Sequence, residues 1–177
     1  MTKYEILLHP DKKLKKICEP VLEITNDIKN ISTKMLETMY GASGIGLAAP
    51  QIGVLKRFFV MDCSKNETSP EPLVFINPEI VWLSEEKNTH EEGCLSIPEI
   101  YGEIERPARV KIRSMDLHGS ENEYELDGIM ATCAQHEIDH LNGVLFVDYL
   151  GPIRRQVILS KMKKFKREKA RSKKSIT

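Results

Sequence analysis

No apolar run in this sequence approaches the roughly 20 residues needed to cross a bilayer. The opening residues, Met1-Thr-Lys-Tyr-Glu-Ile-Leu-Leu-His-Pro10, also lack the apolar stretch of about 7 to 15 residues that a secretory signal needs. No arginine precedes Arg57, and acids stand at Glu5 and Asp11, which argues against an Arg-rich, acid-poor transit peptide. A cytoplasmic location is the expectation. Repeats and low-complexity segments are missing. Cysteine is scarce: Cys18, Cys63, Cys94 and Cys133 are the only four. In a reducing compartment such residues are more often buried thiols or metal ligands than disulfide partners.

What is present fits one globular domain. A chain of 177 residues can bury most of its unfolded surface unaided. Its hydrophobic share of 41% and charged share of 29% exclude a disordered or membrane chain. The formal net charge of zero conceals a division. Residues 154–177 carry eleven Lys or Arg against the single acid Glu168, a net of +10, so residues 1–153 carry −10. We divide the chain accordingly into a catalytic domain, 1–153, and a basic helical tail, 154–177. The tail's charge points to a polyanionic partner rather than to anything about the fold.

Thr25 can cap a helix over residues 26–40, in which Ile28, Ile31, Met35, Leu36 and Met39 recur at spacings of three and four. Gly44 to Gly53 holds three glycines and Pro50, the composition of a shaped loop able to bring bare backbone close to a ligand. Arg57 to Met61, Leu73 to Ile76, Ile80 to Leu83 and Val110 to Ser114 read as short strands, and Asn66 to Pro72 as a surface loop. Turn chemistry at Asp116 to Glu121 predicts a hairpin over 110–126. A helix is expected from Ile129 to Leu141, ending at Asn142-Gly143, and an amphipathic one from Ile153 to Lys169.

The second of these helices carries Gln135-His-Glu-Ile-Asp-His140. His136 and His140, four residues apart, share one face about 6 Å apart along the axis, which suits two ligands of one metal ion. Glu137 projects about 100° round from His136, too far for a comfortable third ligand but near enough to reach a water molecule held there. It reads as a general base. A catalytic metal site needs a third protein ligand. In metalloproteases with a third histidine the pattern runs on to a glycine and then a histidine; Gly143 fits the first, but Phe146 stands at the second. Asp148 and Glu168 are the few downstream acids. Cys94 is the better candidate, in His90-Glu-Glu-Gly-Cys-Leu-Ser-Ile-Pro98, where Gly93 lets the chain turn and Pro98 stiffens the exit.

Taken together, Gly44-Ile-Gly-Leu-Ala-Ala-Pro-Gln51, Glu92-Gly-Cys-Leu-Ser96 and Gln135-His-Glu-Ile-Asp-His140 resemble, in order and approximate spacing, the three signatures of the peptide deformylases. The resemblance extends over nearly the whole chain, with a basic C-terminal helix like that of the bacterial type. It implies a metal-dependent hydrolase that removes the formyl group from N-formylmethionyl nascent polypeptides and releases formate. It implies that Cys94, His136 and His140 hold one divalent ion, Fe(II) in the cell with Zn(II) or other dications able to substitute. Glu137 would be the acid/base, and Gln51 with the backbone NH of Leu95 would form the oxyanion site. Gly46 would contact the peptide, Ile45, Ile129 and Cys133 would line the methionine pocket, and Glu92 with Arg106 would form a supporting ion pair. His90 stands where an apolar or aromatic neighbour of that pocket is expected.

A peptide with variable residues after methionine is expected to bind extended along a strand edge. The tail is expected to touch ribosomal RNA, and the working form to be a monomer. The expected fold is α+β: antiparallel β-sheets packed around a central helix carrying His136 and His140, with an N-terminal helix and a C-terminal helix. Two other classes stay open: a His-Glu-Xaa-Xaa-His metallopeptidase of another family, and an inactive, metal-stabilised ribosome-binding module.

Overall fold

Thr25 opens the first helix as the sequence predicts: its Oγ1 accepts a hydrogen bond from the Ile28 amide at 3.4 Å, and α1 runs over Asn26–Gly41. The structure, a computed structural model, describes residues 3–64 and 69–174. Most of the expected strands are present, several of them longer than their sequence signal. β2 (Phe58–Met61), β3 (Leu73–Leu83), β6 (Arg109–Met115) and β7 (Glu121–Asp127) form one antiparallel sheet with β1 (Gly46–Ala48), in the order β1-β2-β3-β6-β7. Leu73–Ile76 and Ile80–Leu83, expected as separate strands, are two halves of β3. Asn77, at φ +50°, and Pro78 sit between them, and the register with β6 shifts there as in a bulge. The expected hairpin is β6–β7, its turn fixed by Asp116 Oδ1 accepting from the amides of His118 and Ser120. Of the expected surface loop Asn66 to Pro72, residues 66–68 lie outside the described ones.

Both faces of this sheet are covered, and β2 shows why its sequence is apolar throughout. Phe58 and Val60 pack with Met35 and Met39 of α1, while Phe59 and Met61 turn the other way. There they meet Ala134, Ile138 and Leu141 of α2 (Gly128–Leu141). Alternate residues of one strand thus serve two helices. Phe59 stacks on Phe75 with centroids 4.7 Å apart, a contact that adds about 0.5–1.5 kcal/mol to the burial itself.

Two long strands escape the sequence signals: β4 (Lys87–Cys94) and β5 (Ile97–Pro107), a two-stranded antiparallel ribbon. The buried face of β5 consists of Gly102, Ile104 and Arg106, so its alternation is not an apolar one. α3 (Pro152–Lys174) closes the molecule on this side, with Ile158 and Met162 packed among Leu14, Ile97, Ile104 and Phe146. The fold is α+β, with antiparallel sheets around a buried helix that carries His136 and His140. Among the described residues no helix is long and apolar enough to cross a membrane.

Candidate metal centre and active site

α2 is buried along most of its length, and its placement between sheet and ribbon decides where its polar side chains go. His136, Glu137 and His140 are all buried, as is Gln135, which is absorbed structurally by donating to the carbonyls of Pro107 and Ala131. The helix stops at Asn142, and Gly143 follows at φ +73° where a Cβ would lie 2.6 Å from the Lys15 carbonyl oxygen. Only glycine fits that exit.

At the end of β4, Cys94 is brought against α2. Its Sγ lies 3.4 Å from His140 Nε2, which is itself 3.2 Å from His136 Nε2, and the three donor atoms lie within 4.8 Å of one another. For a tetrahedral ion with metal–nitrogen distances near 2.05 Å and metal–sulfur near 2.3 Å, neighbouring ligands would be about 3.3 Å (N to N) and about 3.6 Å (N to S) apart. The observed separations match this spacing. Burial alone would discharge His136, yet the Cys94 sulfur and Glu92 hold its pKa well above the ordinary value. Burial, followed by the charge on His136, pushes His140 well below it. The fit to a single dication rests on the three donor atoms converging at this spacing. Among the described residues His140 Nδ1 has no hydrogen-bond partner, although it is buried.

A charged network behind the ligands fixes their aim. Arg106 Nε donates to Glu92 Oε1 at 2.5 Å and Nη2 to Oε2 at 3.0 Å, a bidentate pair, while Nη1 donates to Asp139 Oδ2 at 2.9 Å. Burial works against the Glu92 charge, but hydrogen bonds from His136 and Arg106 outweigh it and hold the carboxyl below its ordinary range. Tyr149 donates to the same Asp139 oxygen at 2.9 Å. Glu92 and Arg106 are the pair the resemblance implies, and Asp139 and Tyr149 join it without any forewarning. Asp139 stands inside the helical motif, whereas nothing local marks Tyr149.

Beside the ligands lies Glu137, whose Oε2 is buried and unpartnered and whose carboxyl burial pushes up to about 7. Gln51 is fixed by the Ala48 amide, which donates to its Oε1 at 2.9 Å, so that its NH₂ group faces Ser96 Oγ at 3.1 Å and Cys94 Sγ at 3.6 Å. The segment expected as an irregular loop in fact holds β1 and a 3-10 turn, Ala49–Ile52, which is what positions Gln51. These groups border a cleft of about 640 Å³ lined also by Leu95, Gly46, Ile45, Ile129 and Cys133. Ile45 and Ile129 stay 43% and 46% exposed, large apolar side chains facing solvent across the opening. The Cys133 thiol donates to the Ile45 carbonyl at 3.7 Å; the Cys63 thiol first and burial second hold its pKa well above the ordinary value.

β1 forms one edge of the sheet, paired on a single side with β2. The Asp62 amide donates to the Ile45 carbonyl at 2.9 Å, so antiparallel alternation turns the NH and C=O of Gly46 away from β2, toward the free edge and the cleft. A Cβ on Gly46 would meet Glu137 and would lie 2.8 Å from Cys133 Sγ.

Known proteins are similar to this chain in sequence and fold. The peptide deformylase of Bartonella quintana is 51% identical over 164 residues, spanning 93% of this chain and 93% of its own. A crystal structure of a peptide deformylase from Legionella pneumophila superimposes with a TM-score of 0.89 at 42% identity, covering 96% of this chain and 99% of that one. The peptide deformylase of Ehrlichia chaffeensis in complex with actinonin gives 0.88 at 40% identity, covering 94% and 99%. Residues 3–156 match the family described as polypeptide deformylase, and the chain belongs to that family.

Proposed function

We propose that this protein hydrolyses the formyl amide of N-formylmethionyl polypeptides, giving formate and a free amino terminus. The observation that carries it is the convergence of Cys94, His136 and His140 beside an unpartnered Glu137, in a cleft walled by an open strand edge. When bound by these three side chains, a dication supplies Lewis acidity that makes water nucleophilic at neutral pH. A thiolate with two imidazoles suits Fe(II) or Zn(II), and Fe(II) is the metal of this reading.

The remaining work falls to the chain itself. Glu137, at about 7, is poised to take a proton from the attacking water and return it to the departing amine. The Gln51 NH₂ and the Leu95 NH, on the Cys94 side of the cleft, donate to the oxyanion that forms on the formyl carbon. Gly46 offers its outward NH and C=O to the substrate backbone, so the peptide adds to the sheet edge as an extended strand and its later residues vary freely. Ile45, Ile129 and Cys133 receive the methionine side chain. A single chain supplies all of these groups, which supports a monomeric working form. The exposed cations of α3 support contact with ribosomal RNA, and the cytoplasm is the compartment this activity assigns.

Formate release from a formyl-Met tripeptide by the metal-loaded protein tests the reading. Release is expected. A protein that holds its metal and cleaves internal peptide bonds, or nothing, would return the question to a metallopeptidase or an inactive ribosome-binding module.

A further inference from the structure

Three buried side-chain polar atoms among the described residues have no hydrogen-bond partner: Glu137 Oε2, His140 Nδ1 and His90 Nε2. The first two belong to the metal centre. His90 does not, and an unpaired buried nitrogen is costly enough to need a reason.

Its position supplies one. His90 and Glu92 are two apart on β4, so their side chains leave the same face, and that face looks at α2, because Glu92 bonds His136. Thr89 and Glu91, on the other face, are exposed. The cross-strand neighbour of His90 is the buried Ile104, and His90 lines the same cleft as Ile45, Ile129, Cys133 and His136. About 7 Å of strand separates it from Glu92. The five bonds from a formyl carbon to the sulfur of a formylmethionine span a comparable reach. His90 therefore adds a polar side chain to the wall of the cleft that Ile45, Ile129 and the Cys133 thiol also line.

We infer that His90 is a specificity-determining residue of the first-residue pocket: its Nε2 hydrogen-bonds an acceptor at the methionine sulfur position, so N-formyl-methionine sulfoxide is a substrate alongside N-formylmethionine. A thioether sulfur is a weak acceptor and a sulfoxide oxygen a strong one. Norleucine has the same length and no acceptor, so it leaves the buried imidazole nitrogen unpaired, whereas methionine and its sulfoxide give it a partner. This inference rests on the deformylase reading and adds a substrate class to it.

The test compares formyl-Met, formyl-norleucyl and formyl-methionine-sulfoxide tripeptides by kcat/KM for formate release, in the wild type, His90→Leu and His90→Gln. In the wild type, norleucine is expected to fall about 10-fold below methionine, and the sulfoxide to stay within about 10-fold of it. His90→Leu should bring norleucine level with methionine and cost the sulfoxide a further 10- to 100-fold, about the loss for a buried acceptor left unpaired. His90→Gln, which keeps a donor, should retain the sulfoxide. Equal substrate ratios in wild type and His90→Leu, or wild-type rejection of the sulfoxide beyond about 1,000-fold, would overturn the role of His90 while formyl-Met is still cleaved. Absence of formate from all three peptides would instead sink the deformylase reading.

Discussion

His136 turns its Nδ1 to Glu92 Oε2 at 2.9 Å, which leaves Nε2 as the nitrogen that faces Cys94 and His140. Glu92 comes from the ribbon and His136 from α2, so a contact across two elements sets both the tautomer and the ring orientation of a ligand. The same carboxylate is clasped by Arg106, and both residues are 5% exposed. The aim of the metal centre and the closure of the ribbon onto α2 thus share one ion pair.

Removing one partner of that pair strands the other. Glu92→Leu should destabilise the fold by about 3–5 kcal/mol, because the buried Arg106 keeps only Asp139. It should also weaken metal affinity by about 10- to 100-fold, since His136 loses its anchor. Glu92→Leu with Arg106→Met should recover much of the stability but none of the affinity. Chemical denaturation and metal competition measure the two effects separately, and recovery of both would show that Glu92 does not position His136.

Glu137→Gln preserves shape while removing the proton carrier. Turnover of a formyl-Met peptide should fall by about 10² to 10⁴-fold with metal content unchanged. Metal analysis beside the formate assay decides it, and near-normal turnover would remove Glu137 from the mechanism.

Gly46→Ala places a methyl group against Glu137 and 2.8 Å from Cys133 Sγ. A cost of about 1–3 kcal/mol in stability is expected from overpacking. The displacement of Glu137 should lower kcat/KM by about 10²-fold. Gly151→Ala, where an added Cβ meets nothing within 4 Å, is the control. Equal behaviour of the two variants would refute the crowding argument.

Tyr40 donates to Asp62 Oδ2 at 2.6 Å at the edge of the Gly44 segment. Partial burial and then the Asp62 carboxylate raise the phenol from its ordinary value of 10.0 to about 12. The folded state thus holds this proton more tightly than the unfolded chain does. Its contribution to stability is complete below pH 10 and is lost as pH rises toward 12. Denaturation between pH 8 and 12 should show a decline that Tyr40→Phe makes shallower. The hydrogen bonds that Asp62 accepts outweigh its burial and depress its pKa, so its contribution fades only in acid, as pH falls through the folded value.

The cations of α3 are separable from its packing. Lys163, Lys166, Arg167 and Arg171 are exposed, while Ile158 and Met162 are buried. Changing those four to Gln should leave stability and turnover intact and lower the slope of ribosome affinity against salt by about one per lost phosphate contact. An unchanged slope would remove the RNA contact from the functional reading.

The sequence by itself determined what is local. Thr25 and the spacing of Met35 and Met39 specify α1, and the four-residue interval between His136 and His140 places two imidazoles on one helical face whatever surrounds them. Period and capping are properties of neighbouring residues, so they can be read without a fold. Tertiary structure alone decided where Cys94 meets that face, and it did so through β4 and β5, whose buried positions include Gly102 and Arg106 and so carry no apolar alternation. It also decided that Gly46 lies on an open edge, that Asp139 and Tyr149 join the charged network, and that His90 turns inward with its nitrogen unpaired. Each of these depends on which strand packs beside which helix, a choice set by burial summed over the whole chain and not by any single stretch of it.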